Sequence, residues 1–407
     1  MSRIDTKKKA LDTRGKPAPF GPDIDLGAYS DREMGHGQVA GLKELPVEVQ
    51  ERALSVGVDT AEGCRRGSFF QMDHSVVFSA AYQNGLEVMD IKAAREKYDW
   101  LKDYWWKALA VDTDKYTAQA ELKPHHGYFL RALPGAKAEF PLQACLYMTR
   151  EGLAQNVHNI VIAEEGAELH IITGCTVASL VRSGLHIGIS EFYVRKNARL
   201  TFTMIHNWAP DVAVRPRSAA IVEENGVFIS NYICMKPVKT LQTYPTAYCV
   251  GANATVRFNS IILAQEGSNI DVGARVFLQA KGSRGEAISK AITTGGTVVA
   301  RGHFIGEAEG VKAHLECRGL ILSGKGKIHA IPELEGSVKD LDMTHEAALG
   351  KIAPEEIEYL MARGLTSEEA TAAIVRGFLD IEMKGLPESI GDEIKRALRT
   401  EKIEGGF

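Results

Sequence analysis

Asn253, Gly267, Gly282, Gly296, Gly310 and Gly324 stand 14, 15, 14, 14 and 14 residues apart, with short alternating runs such as ATVRFNSIIL, NIDVGARVFL, TVVARGHF and VKAHLECRGLIL between them. Glycine and asparagine are the residues that tolerate a corner of positive φ. A steady period of strand and corner is the mark of stacked coils, each burying its inward side chains on the coil below. A β-sandwich would instead show hairpin turns about every 8 to 12 residues, without one sustained period. Earlier turns at Gly166, Asn197 and Gly226 follow NIVIA, EFYVR and SAAIVE at wider spacing. The pattern predicts a mainly β chain built on a parallel β-helix with two strand–corner units per coil.

The flanks have other textures. Three regions are expected: a helical and irregular one over 1–115, the β-helix over 116–338, and a helical one over 339–407. Residues 1–30 are polar and broken by Gly and Pro, which reads as a loose arm. LPVEVQERAL predicts a short helix opened by Pro46. In DIKAAREKYDWLKDYWWKAL, the steps between Ile91, Ala94, Tyr98, Leu101 and Trp105 predict one helix with an aromatic face. Near the C-terminus, Pro354 opens a helix with Ile357, Leu360 and Met361 on one face, and Gly364 closes it. Thr366 and Glu369 form a capping box for the next, striped by Ala370, Ile374, Phe378 and Ile381. A third carries Ile390, Ile394 and Leu398. Such helices either cap the end of a sheet or dock a partner.

Bulk properties exclude several functions. A net charge of −4 with a pI near 6.3 argues against a general nucleic-acid binder. No apolar stretch is long enough to span a membrane, and the first residues do not form a secretory signal. Six scattered cysteines without a C-x-x-C pair read as reduced thiols in a cytoplasm.

Few groups offer chemistry. Cys317 lies in HLECRG, where alternation puts it on one face with Leu315 and puts His314 and Glu316 on the other. His345 and Glu346 follow in LDMTHEAALGKI and can meet Cys317 only through the fold. Cysteine, histidine and glutamate together suit iron or zinc. An iron–sulfur cluster usually takes four ligands, so a two-fold related chain would be the source of the others. Cys249 occupies an inward-compatible strand position in TYPTAYCVGAN. Phosphate-loop, nucleophile-elbow and H-E-x-x-H patterns are absent. Asp271, Arg275 and Arg284 are too loosely spaced for the clustered groups of a polysaccharide-processing β-helix.

At its C-terminal end the chain resembles the SufB/SufD scaffold proteins of the SUF iron–sulfur cluster assembly machinery. HEAALGKIAPEEIEYLMARGLTSEEATAAIVRGFL is similar to that family's H-E-A-x-x-G-K-I followed by Y-L-x-x-R-G-L-x-x-x-E-A-x-x-x-I-V-x-G-F. DVGARVFLQAKGSRGEAISKAI, MIHNW and TGCT also have family counterparts. GSFFQMDHSVVFS and GYFLRALPGAKAEFP are similar to the archaeal-type SufB-like members, so the resemblance runs from about residue 65 to 390.

This resemblance implies a right-handed parallel β-helix whose terminal helices, with Ile357, Leu360, Met361, Ile374 and Phe378, dock a SufC-type ABC ATPase. The chain would then be a scaffold rather than an enzyme, with ATP hydrolysis supplied by that partner. It implies a second copy paired through the end of the β-helix. A transient cluster, of the four-iron type and with or without a flavin, would be held there by Cys317, His345 and Glu346. Sulfur would enter at Cys249, whose spacing after TYP differs by two residues from the family pattern, and donor and acceptor proteins would complete the system. The N-terminal cluster motif of some members is missing, and retention of Cys, His and Glu together favours the SufB-like role. The rival expectations are a purely structural β-helix without metal and a β-helix enzyme acting on polysaccharide.

Overall fold

Left-handed residues occupy the corners. In the computed structural model, which describes residues 3–379 apart from positions 34, 62, 64 and 125, φ is 57° at Asn197, 53° at Asn225, 57° at Asn253, 87° at Gly267 and 69° at both Gly282 and Gly310. At two expected corners, Gly226 and Gly296, the left-handed residue is the one before, Asn225 or Gly295. Asparagine has a second use here. Asn225 Nδ2 donates to Asn197 Oδ1 at 3.0 Å, and Asn253 Nδ2 to Asn225 Oδ1 at 3.2 Å, so three stacked corners are joined by side-chain amides.

These corners organise a parallel β-helix of about eight coils with a few helices at its ends. Two sheets form the walls. One runs from the hairpin of Gly67–Met72 and Ser75–Ala81 to the strand Leu341–Gly350; the other runs from Leu86–Asp90 to Lys327–Gly336. The register is in parallel along the late coils: Thr255–Ala264 on Arg284–Thr293, then Val311–Ile321, then Leu341–Gly350. Alternation sends Val256, Phe258, Ala287, Ala291, Ala313 and Leu315 into a continuous lumen core.

Both outer walls carry apolar patches, and the flanking helices cover them. On one wall Ile172, Ile205, Ile261, Leu263, Ile292 and Leu320 belong to one apolar layer with Val49 and Ala53 of the helix Val47–Leu54, which lies against the strand Glu168–Val177, and with Val375 and Leu379 of the helix Ser367–Leu379. On the other wall, Ile160, Ile162, Ile187 and Ile189 lie under Leu101, Trp106, Leu109 and Tyr116. Buried polar groups fix this second layer. Arg217 Nε meets Asp114 Oδ2 at 2.7 Å, and Asp114 Oδ1 accepts from the backbone N–H groups of Tyr116 and Thr117, capping the helix Lys115–Leu122.

Several expectations shift. The loose arm is a helix over Arg3–Thr13 whose Ala10 is buried against the aromatic layer. The long aromatic helix ends at Lys97 and resumes as a 3₁₀ turn, Asp99–Asp103, because Tyr98 takes an extended conformation and packs its ring against Trp100 and Phe129. A helix, Lys115–Leu122, falls within the tract expected to be β, while strand pairing begins far earlier, at Gly67. At the other end the strand Leu341–Gly350 carries the ladder past residue 338, where helix was expected to start. The helices Pro354–Met361 and Ser367–Leu379 follow, with Pro354 at the first turn and the Thr366–Glu369 capping box formed. The expected third helix, with Ile390, Ile394 and Leu398, and the stripe residue Ile381 lie outside the described residues, as does Cys64.

Candidate functional site

Cys317 lies on the strand Val311–Ile321 and points into the lumen with Leu315. His314 and Glu316 face outward, where His314 Nδ1 pairs with Thr344 Oγ1 at 2.8 Å and Arg318 meets Glu316. Both faces agree with the alternation read from HLECRG. The next strand stacks His345 on Leu315, Glu346 on Glu316 and Ala347 on Cys317. His345 is therefore the diagonal lumen-side neighbour of Cys317. Glu346 stands on the opposite face, above Glu316. Register brings the thiol and the imidazole onto one face and sets the carboxylate behind the wall.

These groups close the stack. Lys327–Gly336 and Leu341–Gly350 are the last strands of their sheets; among the described residues each pairs on one side only, and both are largely exposed. Their free N–H and C=O groups face outward along the coil axis, a template for pairing with another chain. Leu334 and Leu349 on the same strands are also exposed. Among the described residues, no group of three or more His, Cys, Asp and Glu side chains is placed to hold a metal ion.

Cys317 itself is 1% exposed. Burial pushes its thiol up to about 11, with a smaller push from the Glu316 carboxylate. A neutral thiol is a poor ligand, so any metal bound here would have to displace the proton. Alkylation of Cys317, followed by mass spectrometry of its peptide, is expected to rise about tenfold per pH unit beyond pH 9 and to level off near 11. A plateau by pH 9 would mean that the thiol is wetter than its burial indicates.

Cys249 also faces the lumen, in register with Val222 and Leu278, and burial pushes its thiol up to about 12. It shares the lumen core with Cys317 but comes from the opposite sheet. Between the walls runs a cavity of about 60 Å³, lined by Ser190, Ser230, Tyr232, Ser260, Ser289 and Leu315, among others. Successive register pairs form a lumen column: Met204, Tyr232, Ser260, Ser289, Cys317. Ser260 Oγ and Ser289 Oγ are 3.0 Å apart. A line of hydroxyls thus leads to the thiol through an otherwise apolar core.

A second column was not foreseen. Cys175, His206 and Cys234 stack in register on three successive strands. Tyr232 OH lies 2.7 Å from His206 Nδ1, and burial together with His186 holds the His206 imidazole well below its ordinary range. TGCT and MIHNW carried two of these residues, and their separation by one coil each was the signal that could have joined them.

The docking candidates are on the surface in part. Met361 is exposed, Ile357 and Leu360 are half-buried, and Tyr359 beside them is exposed. Ile374 and Phe378 are half-buried, while the face of their helix turned to the wall carries Ala370, Thr371, Val375 and Leu379. Two of the three groups considered for polysaccharide chemistry, Asp271 and Arg275, are engaged elsewhere. Arg301 holds Asp271 through two bonds of 2.7 and 2.9 Å, and Arg275 sits over the rings of Tyr244 and Phe277. No helix among the described residues is long and apolar enough to cross a membrane.

Comparison with known proteins gives a consistent picture. The profile described as "SUF system FeS cluster assembly, SufBD core domain" matches residues 146–378. The chain is 51% identical over 400 residues to an iron–sulfur cluster assembly SufBD family protein of Methanothermobacter thermautotrophicus, covering 97% of this chain and 98% of that one. It is 53% identical over 363 residues to one of Archaeoglobus fulgidus, covering 89% and 97%. The iron–sulfur cluster assembly protein SufB of Bacillus subtilis is 30% identical over 379 residues, covering 89% and 80%.

Proposed function

The chain belongs to the SufBD family and has a role in iron–sulfur cluster assembly, and we propose that it acts as a scaffold on which a cluster is built between two copies and then released. The observation that carries this is the placement of Cys317 and His345 on one face of the final coils, beside two strands whose outer edges are unpaired among the described residues. One chain offers too few donors for a cluster, which usually takes four. A two-fold pairing through the edges doubles the set. Glu346, set on the outer face, joins it from the rim or through a local untwisting of the exposed strand. Iron and sulfide are here the cargo. A site of few thiolates holds them less permanently than four cysteines would, which suits release.

Sulfur would reach Cys317 along the lumen, with Cys249 as the accepting thiol. The column of Cys175, His206 and Cys234 supports a second reading, in which Cys175 accepts it: an imidazole lies next to that thiol, and Tyr232 links the column to the cavity. Cys249→Ala and Cys175→Ala, each charged with a persulfide donor, separate the two by which one loses label. The terminal helices would dock an ABC ATPase, with Ile357, Leu360 and Met361 as the accessible part and Ile374 and Phe378 beside the wall. The chain itself shows no nucleotide motif.

Anaerobic reconstitution with ferrous iron and sulfide, followed by sedimentation, tests the scaffold reading. One cluster per pair of chains is expected, carried by the dimer. The same iron and sulfide on a monomer would overturn it. Deleting residues 354–400 is expected to abolish co-purification with the ATPase, and retained binding would move the docking surface elsewhere.

A further inference from the structure

The two sheets begin at the hairpin of Gly67–Met72 and Ser75–Ala81 on one wall and at Leu86–Asp90 on the other, at the end of the solenoid opposite Cys317. Where these first strands meet Glu33, His36 and the helix Ile91–Lys97 lies a cavity of about 570 Å³. That volume suits a small-molecule site. Glu33 and Asp90 supply carboxylates to it, and none of its described lining residues is Lys or Arg.

Two of its histidines are held from behind by carboxylates. His126 Nδ1 lies 2.9 Å from Asp90 Oδ2, and His36 Nε2 lies 2.8 Å from Asp73 Oδ2. A carboxylate accepts the ring N–H, so in the neutral imidazole the other nitrogen, His126 Nε2 or His36 Nδ1, keeps its lone pair. Asp73 is buried and also accepts from the Thr149 N–H at 2.7 Å and from the Thr149 hydroxyl. Asp73 and His126 have φ of 49° and 65°, a conformation that is uncommon outside glycine and that gathers at ligand clamps.

One of these lone pairs already holds a cation. Lys92 Nζ donates to His126 Nε2 at 3.0 Å. That ammonium ends an exposed side chain on a flexible stem, so a ligand can displace it. A bare metal ion fits less well, because among the described residues no three His, Cys, Asp and Glu side chains converge on one point. Beside the acceptors, Val76, Met89 and Ala93 give the cavity an apolar stretch.

We propose that this cavity binds an aliphatic diamine or polyamine. Its ammonium groups would lie on His36, His126, Glu33 and Asp90, and its methylene chain along Val76, Met89 and Ala93. The proposal is independent of the cluster reading, since it uses none of the groups at the other end of the solenoid.

Calorimetric titration of the full chain with spermidine tests it. One saturable site per chain is expected, and magnesium in about tenfold excess should not displace the amine. His36→Ala and His126→Asn, the latter keeping a residue that tolerates left-handed backbone, should each weaken binding about tenfold, because each removes an acceptor for a charged donor. Lys92→Met removes the competing ammonium and should tighten binding about threefold, a gain that a merely structural role would not give. Its side chain is exposed, so this variant keeps the test decisive if a histidine variant fails to fold. Absence of saturable binding, displacement by magnesium, or unchanged or weaker binding in Lys92→Met would each overturn the proposal. Full affinity in both histidine variants would do so as well.

Discussion

Cys317→Ala is expected to bring the iron and sulfide retained after anaerobic reconstitution down by at least about tenfold, because even the loss of an outer-shell partner commonly costs a metal site 10- to 100-fold and here the proposed ligand itself is removed. The substitution removes one sulfur from a buried position. The cost to stability is about 1 kcal/mol, within the usual range for a single core change. Thermal unfolding of the same sample will therefore show a folded chain, and loss of metal cannot be put down to loss of fold. His345→Ala should fall in the same direction, since the ladder sets it beside Cys317. Glu346→Ala is the discriminating variant. It stands on the other face in a single chain, so an equally large loss would require the terminal strand to turn or a second chain to present its own carboxylate. If Cys317→Ala retains full absorbance and stoichiometry, the site lies elsewhere.

Asp114→Ala should be the most damaging change far from the site. Its carboxylate is fully buried, pairs with Arg217 at 2.7 Å and caps a helix through the N–H groups of Tyr116 and Thr117. Removing one partner of a buried pair costs about 3 to 5 kcal/mol, because the other charge is left uncompensated. Arg217 keeps carbonyl acceptors at Pro216 and Gln242, which places the expected loss near the lower end. Chemical denaturation checks this, and Asp114→Asn, which keeps a cap, should cost less. Replacing both partners by apolar residues should recover much of the loss. A cost under about 1 kcal/mol for Asp114→Ala would mean that the pair is not what seats the aromatic layer.

Much of this architecture was legible in the chain because its signals are local. A corner needs positive φ, and few residues supply it cheaply, so the period showed in Asn253, Gly267, Gly282 and Gly310. The face of Cys317 followed from alternation alone. What escaped depends on pairing. THEAALGK is rich in helix formers, yet it folds as strand, because ten residues find a ready parallel partner in Val311–Ile321. That register, invisible in one sequence, decides that His345 joins Cys317 and Glu346 does not. The last helix buries Ala370, Thr371, Val375 and Leu379, while the expected stripe residues Ile374 and Phe378 are half-buried at the border of that face, Phe378 still packing on the wall. Short amphipathic helices tolerate a small rotation, and the wall chooses.

The two ends of the solenoid differ, and the difference has a consequence for assembly. At the start, the hairpin strand Ser75–Ala81 turns antiparallel on Gly67–Met72, and its own outer edge is occupied where Val39 bonds to Val77. At the far end the strands Lys327–Gly336 and Leu341–Gly350 each keep one unpaired side among the described residues. A pair joined head to head through that end would bury the terminal strands of both copies, so the same contact would not run on into a filament.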